Sequence, residues 1–267
     1  MDYLSAIIYG VIQGVTEFLP VSSSGHLALL PQVLEITDPG VAFDLSMHIG
    51  TALAVMIYFK RDLGKLTLEF FNLFNFKKPR NPHVVNLLFA TMISFLIILL
   101  IKKYASDFGR SPLMIAINLI VFGLLMWGVD KFCKPNSKQK IDQMIMWKAS
   151  FFIGFMQPLA IFPGVSRSGI TITTGRFFML TREQSSRFSF LLSLPVIWGG
   201  FIFKLPELTG APAFDFINCL IGTLVSFFTG ILTIHFFIST INKIGFGGFT
   251  IYRIILALMI LFTLGNG

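Results

Sequence analysis

Long apolar runs separated by short polar connections dominate the pattern of this chain. A membrane-spanning helix needs roughly 17–25 predominantly apolar residues, and six runs reach or approach that length. They cover residues 43–59, 84–101, 112–129, 187–204, 216–238 and 249–265. The pattern therefore predicts an all-α polytopic membrane protein.

Four further apolar runs are only about half as long. They cover residues 3–14, 26–36, 147–157 and 170–180. Each would form about 16 Å of helix, roughly half the thickness of the hydrocarbon core. Each pair encloses a polar loop, and non-helical backbone is tolerated at membrane depth where it lines a cavity or is buried in protein. We therefore predict two re-entrant helical hairpins.

The polar loops of the two hairpins are related in sequence. With Gln13 placed against Gln157, both segments begin with Gln and end in Val-Ser-x-Ser-Gly. Arg167 in the second loop then falls opposite Ser23 in the first. The similarity continues into the span that follows each hairpin, which indicates an internal repeat.

Each half of the chain contains one hairpin and three spans. Because three is odd, the second half must be inserted upside down relative to the first, which is an inverted-topology repeat. We treat 1–267 as a single integral-membrane domain, with the first repeat at 1–130 and the second at 145–267. Repeats of this type place their shared site near the bilayer midplane, at discontinuous helices.

Composition and charge support the membrane assignment. Of 267 residues, 54% are hydrophobic and 13% charged, whereas soluble domains carry about 25% charged residues. The net charge of +8 could suggest nucleic acid, but the basic residues lie in the connections between apolar runs, where they set orientation and contact anionic lipids. We expect membrane lipids and no nucleic acid as partners.

The placement of the basic residues also predicts an orientation. If the connection 60–83 is cytoplasmic, the cytoplasmic connections hold most of the 21 lysines and arginines. Both termini and the entrance of the first hairpin then lie on the extracytoplasmic side.

Glu17 is the strongest single signal of chemistry. A carboxylate in a membrane segment costs about 2.5–3.5 kcal/mol on insertion scales, so it is expected to have a partner or a task. A metal ligand, a general acid or base, and a proton site all fit, as does a brace of the hairpin. Gln13 lies four residues earlier on the same helical face and could assist through its amide.

The serine-rich stretch after Glu17 precedes a helix that we expect to begin near His26. Its residues are Ser22, Ser23, Ser24 and Gly25. Backbone N–H groups and hydroxyls at a positive helix end suit a phosphate, although an ordinary N-cap has the same composition. The combination of Glu17, Ser23 and His26 inside the membrane favours a nucleophile with a base.

Arg167 makes the expected ligand an anion, because its guanidinium is a rigid fork of donors matched to phosphate oxygens. Glycines in the same loop let the backbone approach closely, and hydroxyls add donors. The candidate substrate-binding residues there are Gly164, Ser166, Ser168, Gly169 and Thr171. A purely structural ion pair between Arg167 and Glu17 is the alternative.

Other polar residues are interpreted as structural. His48 and His235 lie on apolar spans, and Arg176, Arg182 and Arg187 resemble boundary charges at the cytoplasmic side.

The two loops resemble the signatures of a known family. Glu17-Phe-Leu-Pro-Val-Ser-Ser-Ser-Gly-His26, preceded by Gln13, is similar to the (E/Q)xxxE and serine-rich motif of the undecaprenyl-diphosphate phosphatases, the bacitracin-resistance proteins. Pro163-Gly-Val-Ser-Arg-Ser-Gly169 resembles their second motif, PGxSRSGxT. The resemblance covers the whole chain.

The resemblance implies hydrolysis of undecaprenyl diphosphate to the monophosphate and inorganic phosphate, which recycles the lipid carrier for cell-wall polymers. Carried over by motif, Glu17 is the acid and metal ligand, Ser23 the nucleophile or a substrate-binding serine, His26 the general base and Arg167 the phosphate clamp. It also implies a divalent cation, magnesium or calcium. Gln13 occupies the first motif position, so Glu17 is the main charged ligand.

Two other classes remain in view. An inverted-repeat transporter or flippase for an anionic lipid or solute would share the architecture. The phosphatidate-phosphatase type of lipid phosphatase is disfavoured, because the position where it requires a His is Thr173. We expect a multi-pass protein of the bacterial plasma membrane, with the site opening to the extracytoplasmic side, and leave a homodimer open.

Overall fold

The computed structural model describes residues 1–33, 35–36, 38–75, 81–105, 111–134, 143–208 and 215–265. These ranges form α-helices with one short 3₁₀ turn, and they contain no strand. The helices are α1 (Tyr3–Thr16), α2 (Ser23–Val33), α3 (Val41–Tyr58), α4 (Lys60–Asn72), α5 (Pro82–Ala105), α6 (Pro112–Phe132), α7 (Gln143–Met156), α8 (Arg167–Phe177), α9 (Arg182–Leu208), α10 (Phe216–Ile244) and α11 (Gly247–Gly265), with the 3₁₀ turn at Gln157–Ile161.

The predicted spans are recovered as helices. Among the described residues, five helices are long and apolar enough to cross a membrane, namely α3, α5, α6, α9 and α10. The sixth predicted run becomes α11, whose apolar part, Gly247–Thr263, lies at the short end of the length that a span needs. The prediction of an all-helical polytopic membrane protein is confirmed.

The four half-length runs become the helices α1, α2, α7 and α8. A loop separates α1 from α2 and α7 from α8, so neither pair forms one continuous span. Both returning helices start three residues earlier than predicted, α2 at Ser23 and α8 at Arg167. The reason is that Ser22 and Ser166, not the residues after the serine-rich stretch, cap the helices.

The connection 60–83 is not all loop. Its first part forms α4, directly after α3, with basic Arg61 and Lys65 on one face and exposed Phe70 on the opposite face. An amphipathic helix of this composition suits the membrane interface. Residues 76–80 of this connection and 135–142 of the next basic one lie outside the described residues.

Each hairpin is held against a long helix by glycines. Gly14 of α1 packs on α10, where a Cβ would overlap Thr229. Gly154 of α7 packs on α5, where a Cβ would lie 2.5 Å from Ala90 O. Small residues let membrane helices approach closely, so one face of each hairpin packs tightly on a long helix, while the opposite faces of α1 and α7 stay exposed at residues such as Leu4 and Phe155.

The packing of the two halves corresponds. α1 packs on α10 as α7 packs on α5, while α3 contacts α9 and α6 contacts α11. These are the pairings expected if each helix of the first half has an equivalent in the second, with α1 equivalent to α7 and α5 equivalent to α10. The inversion of the two halves across the membrane stays a prediction. Beneath the first loop, the aromatic rings of Phe18, Phe59, Phe190, Phe237 and Phe246 belong to one buried cluster.

Arg176, interpreted from the sequence as a boundary charge, is buried. Its side chain is only 3% exposed, and its Nε lies 3.0 Å from Asp130 Oδ1. Arg182 Nη2 lies 2.7 Å from the other oxygen of the same carboxylate. Asp130 therefore joins the ends of α6, α8 and α9. The sequence did not reveal this contact, because Asp130 lies far from both arginines along the chain.

Candidate active site at the junction of two loops

The first loop, residues 17–22, ends in a strained cap. Ser22 has a φ of 75°, a left-handed conformation that non-glycine residues adopt uncommonly. Its Oγ accepts a hydrogen bond from Gly25 N at 3.3 Å, which caps α2. Ser24, next to it, is exposed, and its Oγ lies 3.3 Å from Ser22 Oγ.

The second loop repeats this geometry. Ser166 has a φ of 72°, and its Oγ accepts from Gly169 N at 3.1 Å and lies 3.2 Å from Ser168 Oγ. Gly164 has a φ of 92°, and a Cβ there would lie 2.5 Å from Ile115 O. Glycine is required at this position by both conformation and space.

The two loops are bonded to each other. Ser22 Oγ also accepts from Gly164 N at 3.1 Å, and Ser168 Oγ donates to Leu19 O at 3.1 Å. Both hydroxyls are thus used to join the loops. The N-termini of α2 and α8 consequently start from one shared junction.

At this junction Glu17 meets Arg167. Arg167 Nη2 lies 2.6 Å from Glu17 Oε1, and the two side chains are 13% and 7% exposed. The other carboxylate oxygen accepts from Ser23 Oγ at 2.7 Å and from Gln13 Nε2 at 3.0 Å. The acid, the arginine, the serine and the amide singled out from the sequence therefore share one partly buried cluster.

His26 does not contact Ser23 as expected. Its Nδ1 lies 2.7 Å from Ser22 O, and its Nε2 lies 2.7 Å from Tyr252 Oη. A carbonyl oxygen only accepts, so Nδ1 carries a proton, and in the neutral ring Nε2 accepts from the Tyr252 hydroxyl. The group bonded to the Ser23 hydroxyl is Glu17, while His26 braces the first loop against α11.

Comparison with known proteins places the chain in a family. A family model described as bacitracin resistance protein BacA matches residues 6–259. The chain belongs to this family. It is 40% identical over 269 residues to a protein of Alteromonas mediterranea named undecaprenyl-diphosphatase, with 98% of both chains covered. A protein of Idiomarina loihiensis with the same name is 36% identical, with 97% of this chain and 98% of the relative covered. A protein of Stutzerimonas stutzeri named undecaprenyl-diphosphatase 2 is 37% identical, with 98% of both covered.

The site of this BacA family chain includes residues that the sequence analysis passed over. His48 of α3 was interpreted as structural, yet its Nε2 lies 3.8 Å from Glu17 Oε2. Ser189 of α9 accepts a bond from Arg167 Nη1 through its carbonyl at 3.4 Å, and its Oγ lies 2.7 Å from Thr171 Oγ1. His48 and Ser189 could have been noticed as polar residues within apolar runs. Their spacing along the chain, however, did not link them to Glu17 or Arg167.

The oxygens around Glu17 fit a hard divalent cation. No group of three or more His, Cys, Asp or Glu suited to a metal occurs in the part of the chain that is described. However, Gln13 Oε1 is buried without a hydrogen-bond partner, on the side chain whose Nε2 contacts the carboxylate, and the Ser23 hydroxyl contacts the same carboxylate oxygen. Magnesium in particular takes one or two carboxylates and completes its shell with water and substrate phosphates, which this donor set allows.

Proposed function

We propose that the chain hydrolyses undecaprenyl diphosphate to undecaprenyl phosphate and inorganic phosphate. This reaction recycles the lipid carrier for peptidoglycan and other cell-wall polymers and gives resistance to bacitracin. The observation that carries the proposal is the cluster of Glu17, Arg167 and Ser23, which unites an acid, a cation and a hydroxyl at the start of two helices. The curated relatives named undecaprenyl-diphosphatase support it over nearly the full chain.

The diphosphate is bound by positive groups at the junction. The guanidinium of Arg167 uses one nitrogen on Glu17 and one on Ser189 O, and its other N–H groups are left for phosphate oxygens. The N-termini of α2 and α8 add backbone donors and the positive ends of two helix dipoles. The apolar chain of the lipid stays among the spans.

Glu17 accepts the proton of the nucleophile in this proposal, since the Ser23 hydroxyl already donates to it. Either the Ser23 oxygen or a water attacks the terminal phosphorus. The bond from that phosphorus to the bridging oxygen breaks, and its electron pair leaves with undecaprenyl phosphate. On the Ser23 route a phosphoserine forms and water then hydrolyses it. Arg167 offsets the charge on the transferring group throughout.

Glu17, Gln13 and Ser23 would hold a divalent cation, magnesium or calcium. When bound, the cation supplies further neutralisation of the phosphoryl oxygens.

The experiment that tests the site is phosphate release from a prenyl diphosphate by purified protein in detergent. We expect Glu17→Ala and Arg167→Ala to lose nearly all release, while Arg61→Ala, on the exposed helix α4, keeps it. Near-normal release by either site variant would refute the site. A wild-type protein that binds the lipid diphosphate but leaves it intact would instead be a carrier, the transporter alternative.

The location and assembly of the protein are also proposals. We place it in the bacterial plasma membrane with the entrance of the first hairpin on the extracytoplasmic side, supported by the distribution of basic residues. An impermeant thiol reagent applied to intact cells should label Tyr3→Cys and not Lys65→Cys, and the reverse result would mean that the orientation is the opposite one. Molar mass in detergent decides whether a homodimer forms.

A further inference from the structure

Arg253 is a fully buried cation without an acidic partner. It lies within the apolar helix α11, and 0% of the residue is exposed. None of the ion pairs found among the described residues includes it. Burying an ion costs several kcal/mol unless other polar groups compensate, so the surroundings of this guanidinium must supply acceptors.

Part of the compensation comes from α6. Arg253 Nε donates to Leu119 O at 3.0 Å, and Nη2 donates to Asn118 O at 3.2 Å. Gly123 makes room for the side chain, since a Cβ there would lie 3.3 Å from Nε. Taken alone, these contacts would make Arg253 a structural link between α6 and α11.

The remaining bonds go to the two loops of the site. Nη1 donates to Pro20 O of the first loop at 3.1 Å. Nη2 donates to Gly164 O of the second loop at 2.7 Å, and both terminal nitrogens donate to Val165 O, at 3.3 and 3.2 Å. One planar group therefore binds the backbone of both loops simultaneously.

These carbonyls stand very close in sequence to the residues that perform the proposed chemistry. Pro20 follows Glu17 by three residues, and Val165 precedes Arg167 by two. The C=O and N–H of a trans peptide point in opposite directions, so holding Val165 O also fixes the direction of the Ser166 N–H at the start of α8. The position of Arg167 relative to Glu17 thus depends on a group that touches neither.

We infer that Arg253 is a positioning residue of the active site. It sets the separation and orientation of the two loops by binding their backbone carbonyl oxygens, without contacting Glu17 or Arg167. The inference rests on the proposed function. It goes beyond it by assigning catalytic importance to a residue outside both sequence motifs. The requirement is for the shape of the guanidinium, because a lysine keeps the charge but has a single nitrogen that cannot reach five carbonyls.

The decisive variant is Arg253→Lys, assayed for phosphate release from a prenyl diphosphate alongside wild type. A displacement of about 1 Å at reacting groups can lower the rate about 100-fold, so we expect kcat to fall by that order while KM changes little. Wild-type release shows that the proposed function holds. A wild-type kcat in Arg253→Lys then overturns the inference alone.

Two matched controls separate positioning from folding. Arg176→Lys alters another buried arginine that donates to backbone carbonyls, those of Leu180 and Cys133, away from the site. Thr250→Val removes a second α6–α11 bond, from Thr250 Oγ1 to Gly123 O at 2.9 Å. We expect both to lower the melting temperature in detergent and to keep kcat. If Arg253→Lys behaves as they do, its role is structural only.

Chemical rescue provides an independent readout. In Arg253→Ala, millimolar guanidinium should refill the vacated space and restore part of kcat, whereas it should not raise the activity of wild type or Arg176→Ala. A folded Arg253→Ala that guanidinium leaves unchanged counts against the inference. Should Arg253→Ala fail to fold, Arg253→Lys decides.

Discussion

Ser22 Oγ accepts a hydrogen bond of 3.1 Å from the backbone N–H of Gly164, a residue 142 positions further along the chain. The same oxygen caps α2 through Gly25 N. One hydroxyl therefore stabilises its own loop and fastens the partner loop to it. The site depends on this contact, because Glu17 and Arg167 belong to different loops.

Ser22→Ala should weaken both the fold and the activity. The change leaves two buried N–H groups without an acceptor, and each such loss costs about 1–3 kcal/mol. We expect a lower melting temperature in detergent together with a reduced kcat. Ser150→Ala is the control, since Ser150 is buried and, in the part of the chain that is described, its Oγ bonds to Met146 O of its own helix and to nothing else. Equal effects of the two substitutions on kcat would contradict the role of Ser22.

Gly164→Ala should be severely destabilising. A side chain is strained at a φ of 92°, and the new Cβ would press on Ile115 O at 2.5 Å. Gly200→Ala is matched to it, because a Cβ at Gly200 meets nothing within 4 Å and alanine favours a helix by about 1 kcal/mol. The expected order of melting temperatures is Gly200→Ala at or above wild type, with Gly164→Ala far below.

Arg167→Lys should lose most of the activity although the charge is kept. The guanidinium binds Glu17 and Ser189 O simultaneously and still offers donors to phosphate, which a lysine nitrogen cannot do. Loss of one preorganised donor to a transition state costs about 10²–10³ in kcat. Phosphate release measured at saturating lipid checks this value. Full activity of the lysine variant would mean that charge alone suffices.

His26→Ala should lower kcat less than Glu17→Gln. The Ser23 hydroxyl donates to Glu17, whereas both ring nitrogens of His26 are engaged by Ser22 O and Tyr252. A general base contributes about 10²–10⁴ to the rate, and we expect that loss in Glu17→Gln. Steady-state kinetics of both variants decide the question. An equal or larger loss in His26→Ala would restore the histidine as the base.

Gln13→Glu should increase the affinity for a divalent cation. It would place a second carboxylate beside Glu17, where the two acids repel each other unless a cation lies between them. We expect the melting temperature of this variant to fall in chelator and to rise with magnesium or calcium more than that of wild type. Gln157→Glu, at the corresponding buried position beside Ser94, provides the control. The same response in both variants would remove Gln13 from the cation site.

The fold class followed from the sequence because hydrophobic run length reports membrane spans directly. The half-length runs predicted the short helices α1, α2, α7 and α8 for the same reason, since a run of that length cannot cross the membrane alone. The start of α8 was misplaced because capping depends on which serine turns inward, and Ser166 and Ser168 are equivalent in composition. α4 was missed because its apolar residues are interleaved with Arg61 and Lys65 instead of forming a run.

The sequence by itself determined which loops carry chemistry. Glu17 and Arg167 stood out because ionisable residues are costly in apolar surroundings, and an ionisable residue within an apolar stretch can be recognised from the sequence alone. Only the tertiary structure decided the partners of these residues. The bond from Arg167 to Glu17, the engagement of His26 by Tyr252 and the support of both loops by Arg253 join segments that are distant in the chain. Their contacts depend on packing distances of a few ångströms, which residue order and hydrophobicity do not specify.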